Sequence, residues 1–429
     1  MRPFVISYDM NLKNMTEIFS LKNLHKHLDW MAYTGVLLLL IGFLFNRVTN
    51  NLGSILIGVY TVIKLKDILP LFSKPWLISF ILISMIPLIS DIIVGGFGFY
   101  QERGVMKLLL ILFPAFIFCM KPDDKKINLF MWFFIILMFA SSAYSIFQYA
   151  NSYSDMFITY KESRVVSTLS LGDHIRISWA TLISCIFALY ILLKSSGLKK
   201  TILIVYIIFQ VAFLHILGSK TGLISLYLTV LILLVYSLYG AKKWYLLIIL
   251  PIMALLPLLA YKTIPSFQQR INFIKYDFDH YIKGEYKEGL SDAVRYYSLL
   301  AGKDIISEHV WIGTGFSRLQ SFTNIWYKKN IPELKEENYF LPSSQIIIYW
   351  ASGGIIGLLI FLYHIFYPFF DRILRKNMWF MAFFIPAIVS FTYETHLEGQ
   401  LPLFIYGFFC SFFWYLAYYD KNKVDNLLN

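Results

Sequence analysis

Apolar runs alternate with short polar breaks along almost the whole chain, and runs near 20 residues are the length that crosses a bilayer as helix. The pattern predicts spans at 30–46, 51–65, 75–93, 105–120, 127–149, 176–193, 201–217, 221–239, 243–261, 345–368, 377–394 and 400–418, about twelve transmembrane helices. The short second run and the tight pair around Gly218–Gly222 are the weakest of these. Runs of this length favour helices over a β-barrel, whose strands alternate in polarity and are about half as long. One stretch breaks the pattern. Tyr261–Pro342 is of mixed polarity and holds no run apolar enough to cross a bilayer. A long loop inside a compact protein is usually functional or disordered. Aromatics scattered among its charges, and Val294, Tyr297, Leu300, Ala301 and Ile305 at helical spacing within Ser291–Ser307, predict a folded one. The chain therefore reads as an all-α polytopic protein, one membrane domain over 1–429, with a partly helical cap over 262–342 between the ninth and tenth spans. No internal repeat, low-complexity tract or soluble second domain is visible.

Composition agrees. The chain is 58% hydrophobic and 15% charged, where soluble domains carry about 25% charged residues. Cys119, Cys185 and Cys410 all fall in apolar runs and read as small buried hydrophobes, giving no disulfide framework and no metal site. The net charge of +12 reflects cytoplasmic Lys and Arg in a membrane protein, not a nucleic-acid partner. The first thirty residues are polar with scattered charges and do not resemble a cleavable signal peptide.

Charge also sets orientation. Arg2, Lys13, Lys22 and Lys26, then Lys64, Lys66 and Lys74, Lys121, Lys125 and Lys126, Lys194, Lys199 and Lys200, Lys242 and Lys243, Arg372, Arg375 and Lys376, and Lys421 and Lys423 fall in alternate breaks. The positive-inside rule puts these breaks and both termini in the cytoplasm, and the cap outside. Arg103, Lys161, Arg164, Arg176, Lys220 and Arg295 then lie on the outer side against the bias, with Glu394, His396 and Glu398. Each alone reads equally as a snorkelling span end. Together, Arg176, Lys220 and Arg295 are what a diphosphate-bearing lipid needs.

The short motifs leave alternatives open. Gly218-Ser219-Lys220-Thr221-Gly222 lacks the phosphate-loop spacing and has no strand before it, so it is no nucleotide site. It is a tight turn with one Lys and two hydroxyls at the outer surface. Asp173-His174-Ile175-Arg176 precedes the sixth span, where a helix N-terminus favours an anion; an interfacial polar cluster explains it as well. Ile312-Gly313-Thr314-Gly315-Phe316 reads as a turn, and Gly353, Gly354 and Gly357 as close helix packing. Glu394-Thr395-His396-Leu397-Glu398 could supply a base or hold a cation, or be a solvated turn.

These features together resemble the O-antigen ligase/polymerase superfamily of bacterial membrane glycosyltransferases, in its Bacteroidetes-type form. Ser219-Lys220-Thr221-Gly222 is similar to the family's Ser-Arg-x-Gly turn, with Lys220 for its Arg. Arg295, its helix and Ile312–Gly315 resemble the loop segment with the second basic residue. Pro342-Ser343-Ser344-Gln345, leading into Ala351–Leu358, sits where the family often has His-Asn before a Gly-rich span, so Ser343 takes the place of the family His. Glu394–Gln400 resembles a turn of the Bacteroidetes-type members. The resemblance implies a GT-C-like membrane fold in the bacterial inner membrane. It implies metal- and cofactor-independent transfer of an undecaprenyl-diphosphate-linked glycan at the periplasmic face. The acceptor is another lipid-linked repeat unit for a polymerase, or lipid A-core for a ligase; polymerase is favoured because Ser343 replaces the His. The expected partners are donor, acceptor and bilayer, with a chain-length regulator and no nucleic acid. Arg295, Lys220 and Arg176, with Ser343, are expected at the substrate, and His396, Glu394 and His174 as stand-ins for the missing base. The competing class is a transporter or lipid flippase without catalysis. The absence of two-fold internal similarity, the near absence of mid-span charge and the one-sided cap speak against it.

Overall fold

The computed structural model describes residues 21–95, 102–151, 166–170, 173–238, 246–283 and 290–428. Arg2, Lys13, Lys161, Arg164, Lys242 and Lys243, read above as loop charges, lie outside the described residues, as do the side chains of Lys22, Lys26 and Arg103. The fold is 83% helix, with no strand among the described residues.

Each predicted span is a helix: α1 (Leu21–Phe45), α2 (Arg47–Ile63), α3 (Pro75–Ile93), α4 (Leu109–Met120), α5 (Asp124–Asn151), α6 (His174–Leu192), α7 (Gly197–Leu217), α8 (Lys220–Leu238), α9 (Leu246–Thr263), α13 (Gln345–Phe370), α14 (Met378–Ser390) and α15 (Gln400–Leu428). Within the cap lie α10 (Pro265–Ile282), α11 (Ser291–Glu308) and α12 (Leu319–Asn330). Among the described residues, eight helices are long and apolar enough to cross a membrane, against the twelve spans expected; three further apolar helices, Gly104–Met120, Pro251–Thr263 and Met378–Ser390, are shorter. Exposed Leu, Ile, Val and Phe side chains along α2, α5, α7 and α13 are what lipid-facing helices present.

The two most enclosed helices organise the bundle. Within the membrane-length windows, 78% of α6 and 83% of α15 are buried. Phe130, Phe134, Phe187, Phe408, Phe409 and Phe412 interlock between α5, α6 and α15, with ring centroids as close as 4.8 Å. Offset and edge-on aromatic pairs of this kind add to the area they bury. The first two helices meet more tightly than the sequence predicts. The break expected near 47–50 shrinks to Asn46, which caps α2 by accepting the Thr49 N–H at 2.8 Å.

The glycines of α13 depart from the packing reading. Gly353 and Gly357 do approach Ile86 of α3. Gly354, however, is a break in the helix, with φ 62° and ψ −160°, a conformation essentially reserved for glycine. The cap closes the break. Gly313 and Gly315 both take positive φ, and the turn they make inserts Thr314 and Gly315, whose N–H groups donate to the Ala351 and Ser352 carbonyls at 2.9 Å each. Irregular backbone is tolerated at membrane depth where protein satisfies it. A Cβ at Gly354 would lie 2.1 Å from the Trp311 carbonyl oxygen. Gly354→Ala is therefore expected to destabilise by about 2–4 kcal/mol. Thermal unfolding in detergent reads this out, and an unchanged midpoint would argue against the break.

Candidate functional site at the cap–membrane boundary

Where the cap meets the helix ends, a cavity of about 630 Å³ opens. Four segments bring its polar groups together: the start of α6 (Arg176), α11 (Arg295), the strand-like approach to α13 (Ser343), and the turn between α14 and α15 (Glu394 and Glu398). Tyr339 and Phe340 of the cap complete the wall.

Arg295 is held by its helix. Ala293, Val294, Ala301 and Ile305 bury one stripe of α11, which packs along α10 and α13. Arg295 then reaches the α14–α15 turn, and its guanidinium donates to Glu394 Oε1 at 2.8 Å. Thr221 donates to the same oxygen at 3.2 Å. This is how the Ser219–Gly222 turn touches the site. It can do so because Gly222 sits hard against Ser178 of α6, where a Cβ would come within 2.4 Å of the Ser178 Cβ. Lys220 itself starts α8 half-buried and does not line the cavity.

Arg176 lies in the first turn of α6. Asp173 caps that helix by accepting the Arg176 N–H, and also pairs with the guanidinium at 3.2 Å. The Arg176 Nε–H is enclosed and has no hydrogen-bond partner among the described residues. His174 is adjacent but is not part of the cavity wall. Ser343 is tied to α11: its N–H donates to Ser298 Oγ at 3.0 Å, the two hydroxyls are 2.9 Å apart, and Ser298 donates to the Arg295 carbonyl.

His396, expected as the replacement base, is placed elsewhere. It is fully buried beneath the turn, 4.5 Å from the Trp179 ring, and is absent from the cavity wall. Burial, with Arg176 and Arg295 nearby, pushes it well below the usual histidine range, so the ring is neutral. Its Nε2 lies 2.8 Å from the Ser390 hydroxyl, which also contacts the Ala387 carbonyl. Its geometry makes it a floor for the turn.

The sequence reading named Glu398 within the Glu394–Glu398 turn but missed the partners that hold it, Lys107 and Gln345. Glu398 lines the cavity, and its Oε1 accepts from Lys107 Nζ at 2.5 Å and from Gln345 Nε2 at 2.8 Å. Gln345 Oε1 in turn accepts the Leu397 N–H at 2.9 Å. Lys107 is only 1% exposed and sits over the Phe316 and Tyr349 rings at 4.8 and 5.1 Å. It was counted inside the fourth span. An ionisable residue in an apolar run is itself a functional signal, and that signal was legible.

The arrangement offers two arginines for an anion, two carboxylates, and aromatic and amide groups on the cap side. Comparison with curated proteins finds no match. The family model described as O-antigen ligase matches residues 202–362, a stretch that runs from α7 to α13 and includes Thr221, Arg295, Ser343 and Gln345. That stretch of the chain is therefore similar to the O-antigen ligase family.

Proposed function

We propose that the protein transfers glycan from an undecaprenyl-diphosphate-linked donor to an acceptor hydroxyl at the periplasmic face of the inner membrane, and acts as a polymerase of lipid-linked repeat units. The single observation that carries this is the cavity itself, in which Arg176, Arg295, Glu394, Glu398 and Ser343 converge between cap and bundle. A bilayer-embedded donor presents its diphosphate at this level. The acceptor oxygen bonds to the anomeric carbon as the bond from that carbon to the diphosphate oxygen breaks. The electron pair leaves with the diphosphate, and Arg176 and Arg295 meet the growing charge. Cations preorganised in a site of restricted water access stabilise such a departure strongly. The cap supplies the second requirement, holding the acceptor in line. Residues 262–342 then form the periplasmic cap of one membrane domain, with both termini cytoplasmic.

Deleting the gene separates the readings. A polymerase predicts surface glycan that stops at one repeat unit. A ligase predicts long chains that remain on the lipid carrier and never reach lipid A-core. A transporter predicts donor retained on the cytoplasmic side. Surface glycan of normal length and attachment in the deletion strain would contradict the proposal.

A further inference from the structure

We propose that Glu398 is the proton acceptor of this transfer, fixed in place by the buried Lys107; the inference rests on the glycosyl-transfer reading above. As the acceptor oxygen bonds to the anomeric carbon its O–H becomes acidic. The hydrogen moves to the Glu398 carboxylate, while the electron pair of the breaking bond leaves with the diphosphate.

Four observations select Glu398. First, it lies in the cavity wall together with Arg176 and Arg295, so it shares the space in which the reacting atoms sit. Second, one of its oxygens is pinned by two donors, Lys107 and Gln345, and Gln345 is anchored to the same turn through Leu397 and to the end of α14 through its own N–H on the Phe391 carbonyl. A carboxylate held through one oxygen keeps a fixed direction for the other, which is what proton transfer in a transition state needs. Third, the alternatives are committed elsewhere. Glu394 is also held through Oε1, but one of its donors is Arg295, the cation assigned above to the leaving diphosphate, so Glu394 serves to hold that guanidinium. His396 is enclosed beneath the turn, and His174 is outside the wall. The Ser343 hydroxyl is not a base at neutral pH.

Fourth, Lys107 calls for an explanation. Lysine is almost never fully buried unless paired, and a buried ion pair is often no more stable than an apolar replacement. Here the supporting shell is extensive. Phe316 follows the Gly313–Gly315 turn that docks on the α13 break, and Tyr349 lies on the short segment before that break. The break at Gly354, the inserted turn and the two rings under Lys107 thus form one connected support for the Glu398 carboxylate.

The test uses full-length protein in proteoliposomes with purified undecaprenyl-diphosphate-linked glycan, scoring donor binding and transfer separately. Lys107→Met/Glu398→Gln removes both charges with little change of shape. It is expected to bind donor within about three-fold of wild type and to transfer at least about 100-fold more slowly, the range of general-base catalysis. Glu398→Asp keeps the charge against Lys107 but withdraws the carboxylate by one methylene, and is expected to fold and lose about ten-fold or more. It decides the matter if the double variant does not fold. A double variant transferring within about three-fold of wild type, or losing donor binding in step with transfer, overturns the assignment of Glu398. In the first case the pair only supports the fold, and in the second it only shapes the cavity. Wild-type protein that releases no undecaprenyl diphosphate from this donor overturns the glycosyl-transfer reading itself, and this inference with it.

Discussion

Lys107→Met alone is expected to destabilise the protein by about 3–5 kcal/mol, because it strands the Glu398 carboxylate in a largely enclosed site. Glu398 has 9% of its side chain exposed and Lys107 has 1%, so water can replace little of the lost contact. Gln345 would remain as a donor to the same oxygen, but a neutral amide does not balance a charge. Adding Glu398→Gln removes the stranded charge, and the double variant is expected to recover most of the lost stability. The comparison is a double-mutant cycle on unfolding midpoints in detergent, and its coupling energy belongs to the pair. Equal midpoints for the single and double variants would show that the pair is not formed.

Arg295→Ala is expected to slow transfer by roughly ten- to hundred-fold. A charge-assisted hydrogen bond that strengthens as the diphosphate departs is lost, worth about 1.5–3 kcal/mol. The loss has a second component here. Glu394, relieved of Arg295, faces the incoming diphosphate as an unbalanced anion, so Glu394→Gln in the same protein should restore part of the rate. Arg295→Lys should recover less than the native residue, since a point charge replaces a planar fork. Lys220→Ala is expected to cost less than Arg295→Ala, because Lys220 begins α8 and is not part of the cavity wall that Arg295 lines. Rates of chain extension by purified variants measure all four.

Much of the architecture was legible in the chain. Apolar runs of membrane length can satisfy their backbone only within themselves, so each predicted run is a helix in the structure, and the helical spacing within 291–307 reappears as α11. Arg176, Arg295, Ser343 and Glu394 were singled out by charge against the orientation bias or by family-like motifs, and all four lie in one cavity. What the sequence did not reveal depends on partners far along the chain. Lys107 stands out as a charge in an apolar run, but its partner Glu398 lies 291 residues away, and no local pattern announces the pairing. His396 looked like an exposed turn residue, but Trp179 and Phe391 enclose it. Gly354 lies in a run that reads as a packing motif. Only the Trp311 carbonyl and the N–H groups of Thr314 and Gly315 show that the helix breaks there.

The central claim is that this cavity is where the donor's bond to its diphosphate is broken. The measurement that addresses it most directly is release of undecaprenyl diphosphate from a purified lipid-linked glycan in proteoliposomes, comparing wild type with Arg176→Ala/Arg295→Ala. The account predicts release coupled to glycan extension in the wild type, and a rate lowered by two orders of magnitude or more, about the sum of two charge-assisted contacts, in correctly inserted double variant. Release at the wild-type rate by the double variant would contradict it.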